Sequence, residues 1–323
     1  MTDAEFHAED LVEMLKAAGE PTRLHLLLLC RRCDLSVSEL TWILGQSQPR
    51  ISRHLKLLCD AGLLERYSEG NWVMYRHSLA TGMGRLGNLI DDLIDTRSEP
   101  TISYLDRLDQ IRLKRNARVQ DFFSLHAGEW SEISRLQVSE RQVETVLHGI
   151  LGSAPVGDYL DLGTGTGRML AILGAKASRA IGVDVNGEML AVARQAIDRP
   201  DFRHVHVRQA DIHNLPFSRE SFDLITAHQV LHFLDDPDQV IREAARVLRP
   251  GGRMIVADLL PHGFEHLKTE QAHRRLGFSD AEINDWMSAA GLVPATCIKL
   301  TGRPLPVGVW SAGKPFSKQE KQT

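Results

Sequence analysis

Leu160-Asp161-Leu162-Gly163-Thr164-Gly165-Thr166-Gly167-Arg168-Met169 decides the fold of the longer part of this chain. Before it, Gly157-Asp158-Tyr159-Leu160 reads as a short apolar strand; after it, Met169-Leu170-Ala171-Ile172-Leu173 opens a helix. A strand that passes through a glycine-rich turn into a helix exposes backbone that a small ligand can approach closely, because glycine carries no Cβ. The spacing is GxGxG with an acid two residues before the first glycine. It differs from the GxGxxG of dinucleotide binders, whose glycines serve a pyrophosphate at the helix N-terminus. The spacing therefore predicts a ligand without phosphate.

Outward from this stretch, strand patterns (157–162, 179–184, 203–208, 222–227, 253–258) alternate with helical ones (167–176, 187–197, 238–248). Such alternation predicts a parallel sheet with right-handed crossovers, whose ligands gather at the C-terminal strand ends. Ala295–Lys299 and Val307–Ser311 are expected to close the sheet. Asp161 ends the first strand, Asp184 the second and Asp211 follows the third. Asp184 suits a ribose diol, and Asp211 with the backbone around Ile212 suits an adenine amino group. Asp161 and the glycine backbone are left for a cationic amino-acid tail. An aspartate at a strand end can equally cap the next helix, a reading that weakens when three fall in this order. His228 and His232, beyond the fourth strand, are candidate general bases, since imidazole titrates near neutrality. A base is optional, however, where a reaction mainly needs its two partners aligned.

The bulk properties set bounds. A chain of 323 residues with 43% apolar content suits two domains with real cores, and a net charge of −4 confines any nucleic-acid surface to a local patch. Four cysteines without regular spacing argue against a disulfide framework. Asp3, Glu5, Glu9, Asp10 and Glu13 are foreign to a secretory leader, and no apolar run approaches the roughly 20 residues of a membrane helix. The expected setting is the cytoplasm, away from membranes.

Residues 8–79 read as a compact helical unit. Glu20-Pro21-Thr22 starts one helix, Ser36 to Leu40 another that ends near Gly45, and Ser47 N-caps a third with Pro49 in its first turn. In the third, Ile51, Leu55 and Leu58 fall on one face. The other face presents Ser47, Gln48, Arg50, Ser52, Arg53, His54 and Lys56, with no acid from Gly45 to Cys59. Leu63 to His77 then alternates with period two around Ser68-Glu69-Gly70-Asn71, the pattern of a hairpin. Helix, turn, basic helix and hairpin make a winged helix-turn-helix. The basic helix would enter a DNA major groove, while Arg66 and Arg76 of the hairpin would meet the phosphate backbone or the minor groove.

Glu20-Pro-Thr-Arg-Leu, Leu35-Ser-Val-Ser-Glu-Leu, Ser47-Gln-Pro-Arg-Ile-Ser-Arg-His-Leu-Lys-Leu-Leu and Ala61-Gly-Leu-Leu resemble the ArsR family of dimeric repressors. Metal-sensing members carry cysteines where this chain has Ser36 and Ser38, and hydroxyls are poor ligands for soft metals. Cys30, Cys33 and Cys59 read as small core residues, so no metal site is expected. The resemblance implies a homodimer, paired through the stripe Leu79, Leu86, Leu89, Ile90, Leu93, Ile94. Packing of that stripe on the chain's own domain is the alternative. Residues 98–120, with Arg112, Lys114, Arg115 and Arg118, read as a helical linker.

Asp184-Val-Asn-Gly-Glu-Met-Leu-Ala-Val-Ala, Leu215-Pro-Phe-Ser-Arg-Glu-Ser-Phe-Asp-Leu-Ile and Arg246-Val-Leu-Arg-Pro-Gly-Gly resemble class I S-adenosylmethionine-dependent methyltransferases. That resemblance implies a Rossmann-like α/β fold over residues 121–313; residues 314–323 read as a disordered tail. It places Asp161, Gly163 and Gly165 at the methionine end of S-adenosylmethionine or S-adenosylhomocysteine. Asp184 and Met189 fall near the ribose, Asp211 and Ile212 at the adenine, and His228 nearest the reacting centre. Phe123, His126 and Trp130 fall where the family's N-terminal helix often covers the cofactor; a plain helix seam is the equal alternative. The whole, a mainly α winged helix over 1–97 joined to such a domain, resembles S-adenosylhomocysteine-responsive repressors of the methionine cycle. It implies a transcription regulator with DNA and a small-molecule effector as partners. A working small-molecule methyltransferase that also binds DNA fits the same motifs.

Overall fold

The computed structural model describes residues 7–69, 72–78, 89–90, 93–114, 140–267, 273–300 and 305–316. Contacts divide the chain into two units, Met1–Arg118 and Val119–Thr323.

The first unit contains α1 (Ala8–Ala18), α2 (Pro21–Arg32), β1 (Leu35–Ser36), α3 (Val37–Leu44), α4 (Gln48–Asp60), β2 (Leu64–Glu69) and β3 (Trp72–His77). A further helix, α5, occupies 101–114. Each start has a local cause. Glu20 accepts from the Arg23 N–H at 2.9 Å and Pro21 opens α2. Ser36 and Glu39 form a reciprocal capping box for α3, and Gly45, at φ 63°, ends it. Ser47 stands at the N-cap of α4, but its hydroxyl makes no capping bond. Ile51, Leu55 and Leu58 face the core with Leu26, Leu40 and Ile43. The sheet runs β1-β3-β2, all antiparallel, with Leu35 opposite Tyr75 and Glu65 opposite Arg76. This is the expected winged helix-turn-helix.

Two expectations change here. Within the expected linker, residues 101–114 form α5, and its Leu108 and Ile111 are buried in the same core as Leu26 and Leu55. Their charged neighbours disguise a seam of Tyr104, Leu108 and Ile111 at helical spacing. The basic side chains serve the fold as well. Arg107 donates to the Ile43 carbonyl at 2.7 Å and Arg112 to the Arg32 carbonyl at 2.9 Å, so both satisfy helix C-terminal carbonyls. The apolar stripe is also divided, because Ile90 and Ile94 pack on this core whereas Leu89 and Leu93 are exposed. Leu79, Leu86, Arg115, Arg118 and the hairpin tip Gly70–Asn71 lie outside the described residues.

The second unit begins with α6 (Glu140–Leu151) and continues β4 (Asp158–Leu162), α7 (Arg168–Leu173), β5 (Arg179–Asp184), α8 (Gly187–Ile197) and β6 (Val205–Gln209). After these come β7 (Phe222–His228), α9 (Pro237–Val247), β8 (Leu248–Leu259), α10 (Asp280–Ala289), β9 (Val293–Leu300) and β10 (Val307–Gly313). The strands order as β6-β5-β4-β7-β8-β10-β9, parallel except for β10, which is antiparallel to both neighbours. Strand order reverses at β4, which has β5 on one side and β7 on the other. That switch point opens a crevice at the C-terminal strand ends. The opposite ends are clamped: Arg249 bridges Asp158 at 2.7 Å and Asp223 at 2.6 Å, and Arg179 reaches Asp158 at 3.0 Å. Lys314 corrects the reading of a disordered tail. Its ammonium donates to the Ala245 and Leu248 carbonyls at 2.9 and 2.7 Å, and its own carbonyl accepts from Gly251. Residues 317–323 lie outside the described residues.

Leu108→Ala should destabilise the first unit by about 2–4 kcal/mol. Hydrogen exchange of the full chain checks this: amides of α2 and α4 lose protection, whereas a surface-linker role for 98–120 would leave them unchanged.

Candidate ligand site and nucleic-acid interface

Asp161 stands at the C-terminal end of β4 with 1% of its surface exposed. Thr164 donates to its Oδ2 at 2.7 Å and Thr226 to its Oδ1 at 2.6 Å, and Tyr159 OH lies 2.7 Å from the Thr226 hydroxyl. Burial pushes the carboxyl up to about 6, against the hydroxyl donors and with help from the Asp184 charge. Gly182, opposite Asp161 on β5, makes the arrangement possible, since a Cβ there would meet Thr164 Oγ1 at 2.6 Å. Both its oxygens are engaged inside the protein, and it fixes the floor of the glycine loop.

Above that floor, Gly163 and Gly165 have φ of 62° and 51°, conformations that favour glycine. A Cβ at Gly163 would overlap the Val230 side chain, whereas one at Gly165 would meet nothing closer than 4.0 Å. The backbone at Gly165 therefore faces open space. Asp184 Oδ2 accepts from the Gly165 N–H and Oδ1 from the Asn186 N–H, both at 2.9 Å. Asn186 in turn caps α8 through the Glu188 and Met189 N–H groups. Val185, next to Asp184, is 61% exposed. Sequence reasoning passed over it, although an apolar residue directly after an acid at a strand end was a usable signal.

Asp211 is exposed and Ile212 buried. The Asp211 Oδ1 accepts from both the backbone N–H and the Nδ1 of His213 at 2.9 Å. These bonds, the backbone one foremost, hold its carboxyl below the usual range. The loop carrying it is tied to α9, since Glu243 accepts from the Leu215 N–H and Arg246 donates to the Leu215 and Phe217 carbonyls. His228 ends β7, where burial pushes its imidazole down to about 4 despite the attraction of Asp258. His232 is buried, with Nδ1 2.6 Å from Asp258 Oδ1. Asp161, Gly163, Gly165, Asp184, Met189, Asp211, Ile212 and His228 thus lie at or just beyond the C-terminal ends of β4 to β7. Phe123, His126 and Trp130 lie outside the described residues.

In the first unit Ser47, Gln48, Arg50, Arg53, Lys56 and Arg66 are exposed and Ser52 is half-buried. His54 and Arg76 depart from the expected surface. His54 turns toward Glu20, with Nδ1 3.7 Å from Oε2, and burial lowers its pKa. Arg76 is buried against its cross-strand partner Glu65 at 3.0 and 3.2 Å and lies over the Tyr67 ring at 5.0 Å. Tyr67 donates to the buried Asp34 at 2.6 Å. Arg76 therefore stiffens the wing and is not presented to phosphates. Burial raises the Cys30 thiol well above its usual range, and among the described residues no group of three or more His, Cys, Asp or Glu is placed to hold a metal ion.

The two units define a winged helix of DNA-binding type and a switch-point α/β domain. Residues 20–66 match the model of the bacterial regulatory protein, arsR family, and residues 160–256 that of the methyltransferase domain. The chain therefore joins an ArsR-family helix-turn-helix to a class I methyltransferase domain. It is similar to methyltransferase GfsG of Streptomyces halstedii, 32% identical over 177 residues, 53% of this chain and 62% of that protein. It is also similar to the ubiquinone/menaquinone biosynthesis C-methyltransferase UbiE of Vibrio vulnificus, 38% identical over 124 residues, 36% of this chain and 46% of that protein. The chain thus spans less than two thirds of the length of either. Among solved structures, YcgJ of Bacillus subtilis aligns with a TM-score of 0.48 at 19% identity, covering 55% of this chain and all of that one.

The Asp161 carboxyl sets a pH dependence. A folded-state value near 6, above the usual 3.8, means that the folded domain binds more protons than the unfolded chain between about pH 4 and 6. Stability is therefore lost as pH rises through that window, by on the order of 3 kcal/mol. The difference in denaturant midpoint between wild type and Asp161→Asn, measured from pH 4 to 7, should shift in favour of the variant. A difference that is flat with pH would refute this.

Proposed function

We propose that the chain is a homodimeric, cytoplasmic DNA-binding transcription regulator whose second unit binds S-adenosylhomocysteine or S-adenosylmethionine as effector. One observation carries the reading: a winged helix with Arg50, Arg53 and Lys56 open to solvent shares a chain with an open glycine loop held by Asp184. The residues present fit the ligand. Asp184 retains acceptor capacity for a ribose diol, since a carboxylate can accept more than the two bonds it makes. Val185 and Met189 offer apolar surface for a purine, and Asp211, beside the backbone of Ile212, an acceptor for its amino group. The Gly165 backbone has room for an amino-acid tail. S-adenosylmethionine brings an electrophilic methyl group; its demethylated product brings none.

Ser47, Gln48, Ser52 and Arg53 would meet base edges and Arg50, Lys56 and Arg66 phosphates. Leu11, Val12 and Leu15 on α1, with Leu89 and Leu93, leave apolar surface exposed in one copy that a second copy would cover. To switch operator occupancy, the effector must bind one state on the order of 10²-fold more tightly than the other. A second reading, an active small-molecule methyltransferase with a DNA-binding unit, is favoured by the methyltransferase names of the relatives.

Arg53→Ala should weaken binding to the operator and flatten its salt dependence by about one counterion, while effector affinity stays as in wild type. Asp184→Ala should abolish the effector response while the ligand-free protein still binds DNA. Gel-shift titrations, with the methyl donor and its demethylated product run separately, check both. A full response in Asp184→Ala would overturn the sensor reading, and indifference of the wild type to either compound would favour the enzyme.

A further inference from the structure

The helix α4 carries one histidine, and its ring turns away from the face that the exposed cations share. His54 lies one turn beyond Arg50 and next to Arg53, both exposed, yet its own side chain is only 14% exposed. Its Nδ1 is buried without a hydrogen-bond partner. Glu20 Oε2, at the start of α2, stands 3.7 Å from that nitrogen, just beyond hydrogen-bond reach. Unpartnered buried polar atoms are uncommon in folded proteins and call for an explanation.

Glu20 is committed as an anion. It caps α2 by accepting from the Arg23 N–H at 2.9 Å. Burial works against its ionisation, but the bonds from Arg23 and Thr22 prevail and hold the carboxyl below its usual range. The balance at His54 runs the other way. Burial disfavours the charged ring, Glu20 favours it, and the guanidiniums of Arg23, Arg50 and Arg53 disfavour it, so the imidazole is held below its usual 6.5. The charged groups facing the ring are thus Glu20 and Arg23 from α2 and Arg50 and Arg53 from α4 itself. The α1 helix meets this corner through the Lys16 and Ala17 carbonyls, which Arg23 bonds. The turn before α4 brings the neutral Gln46, whose Nε2 donates to the Thr22 hydroxyl at 3.4 Å. His54 is a base set against an anion and kept neutral by its cationic neighbours.

We propose that His54 takes up a proton from solvent when α4 engages DNA and pairs with Glu20, so that DNA affinity rises as pH falls. The inference rests on the reading of the first unit as DNA-binding. A duplex brings one negative charge for about every 1.7 Å of its axis. Set against Arg50 and Arg53, that charge offsets two of the three cations that oppose protonation, while Glu20 keeps its place. Exclusion of water raises the cost of charging the ring, but the same loss of dielectric strengthens the pull of Glu20. With both ring nitrogens protonated, the buried Nδ1–H has a carboxylate to donate to. The direction follows from linkage. The ring's value in the complex lies above its value in the free protein, so the complex holds more protons between the two. The gain in affinity is complete below the free value and is lost as pH rises through the bound one. Since the free value lies under 6.5, the gain grows as pH falls below neutrality.

The probe is a rhodamine-labelled duplex selected by the full chain from a random pool. Fluorescence anisotropy follows its binding from about pH 5.5 to 8 at constant ionic strength, because phosphate contacts are salt-dependent. The chain has 14 histidines, so the difference between wild type and His54→Gln is the readout, whatever the affinity of each at pH 8. Over that range wild-type affinity should rise about tenfold more than that of His54→Gln, the equivalent of a displacement of about one pH unit at the ring. Calorimetry in two buffers of different ionisation heat should show the wild type taking up more protons per chain on binding than the variant. Glu20→Gln should move the rise to lower pH, since the ring then lacks the anion that favours its charge; a histidine with a packing role alone would not respond in this way. Because Glu20 caps α2, His54→Gln decides the matter if Glu20→Gln does not fold. Equal pH slopes in wild type and His54→Gln overturn the inference and leave DNA binding standing. If the full chain enriches no duplex at any pH, the DNA-binding reading falls and takes the inference with it.

Discussion

The buried carboxylate of Asp161 is the constraint on which the second unit turns. It lies at the end of the central strand and takes one hydroxyl from the glycine loop and one from the neighbouring strand, tying β4, Thr164 and Thr226 at a single point. A carboxylate that lacked either donor would be buried without compensation, which folded proteins rarely tolerate. The loop is therefore fixed from below. Gly182 is part of the same device, because any side chain there would push Thr164 off the carboxylate. At the other end of the sheet Arg249 and Arg179 gather Asp158 and Asp223, so the strands are clamped by ion pairs at the end opposite the glycine loop.

Much of this was legible in the sequence. Period-two and period-3.6 patterns located the strands of the second unit and its helices α7, α8 and α9, though not α6 or α10, and the glycine spacing located its crevice. β8 runs longer than expected, Leu248–Leu259, because Arg249-Pro250-Gly251-Gly252 reads locally as a turn. The apolar pattern cannot show that β7 shifts register there to keep pairing. In the site, the acids were found but not their partners. That Asp161 is consumed by two hydroxyls depends on a threonine 65 residues away. The tie between His232 and Asp258, 26 residues apart, is equally invisible to local spacing.

Charge misled where burial was not considered. Arg76 and His54 count toward a basic surface in the sequence, but one pairs with a cross-strand glutamate and the other turns toward a helix cap. Residues 98–120 read as linker because charged side chains are interleaved with their apolar residues in equal number. A helix needs only one buried stripe, and long arginines can cover helix ends while that stripe packs. The exposed cations that remain, Arg50, Arg53, Lys56 and Arg66, are a smaller and better-defined set than composition suggested.

The bond between Asp184 and the Gly165 N–H has a thermodynamic implication. The carboxylate grips the loop before any ligand arrives, so the loop gives up little conformational entropy on binding, and recognition there is of lock-and-key character. Asp211 is different. Its Oδ1 is already committed to His213, so a ligand that draws on that oxygen must compete with an internal bond. The loop can name the molecule without moving. The rim is where an arriving molecule forces an exchange of partners, and a structural response to occupancy would originate there.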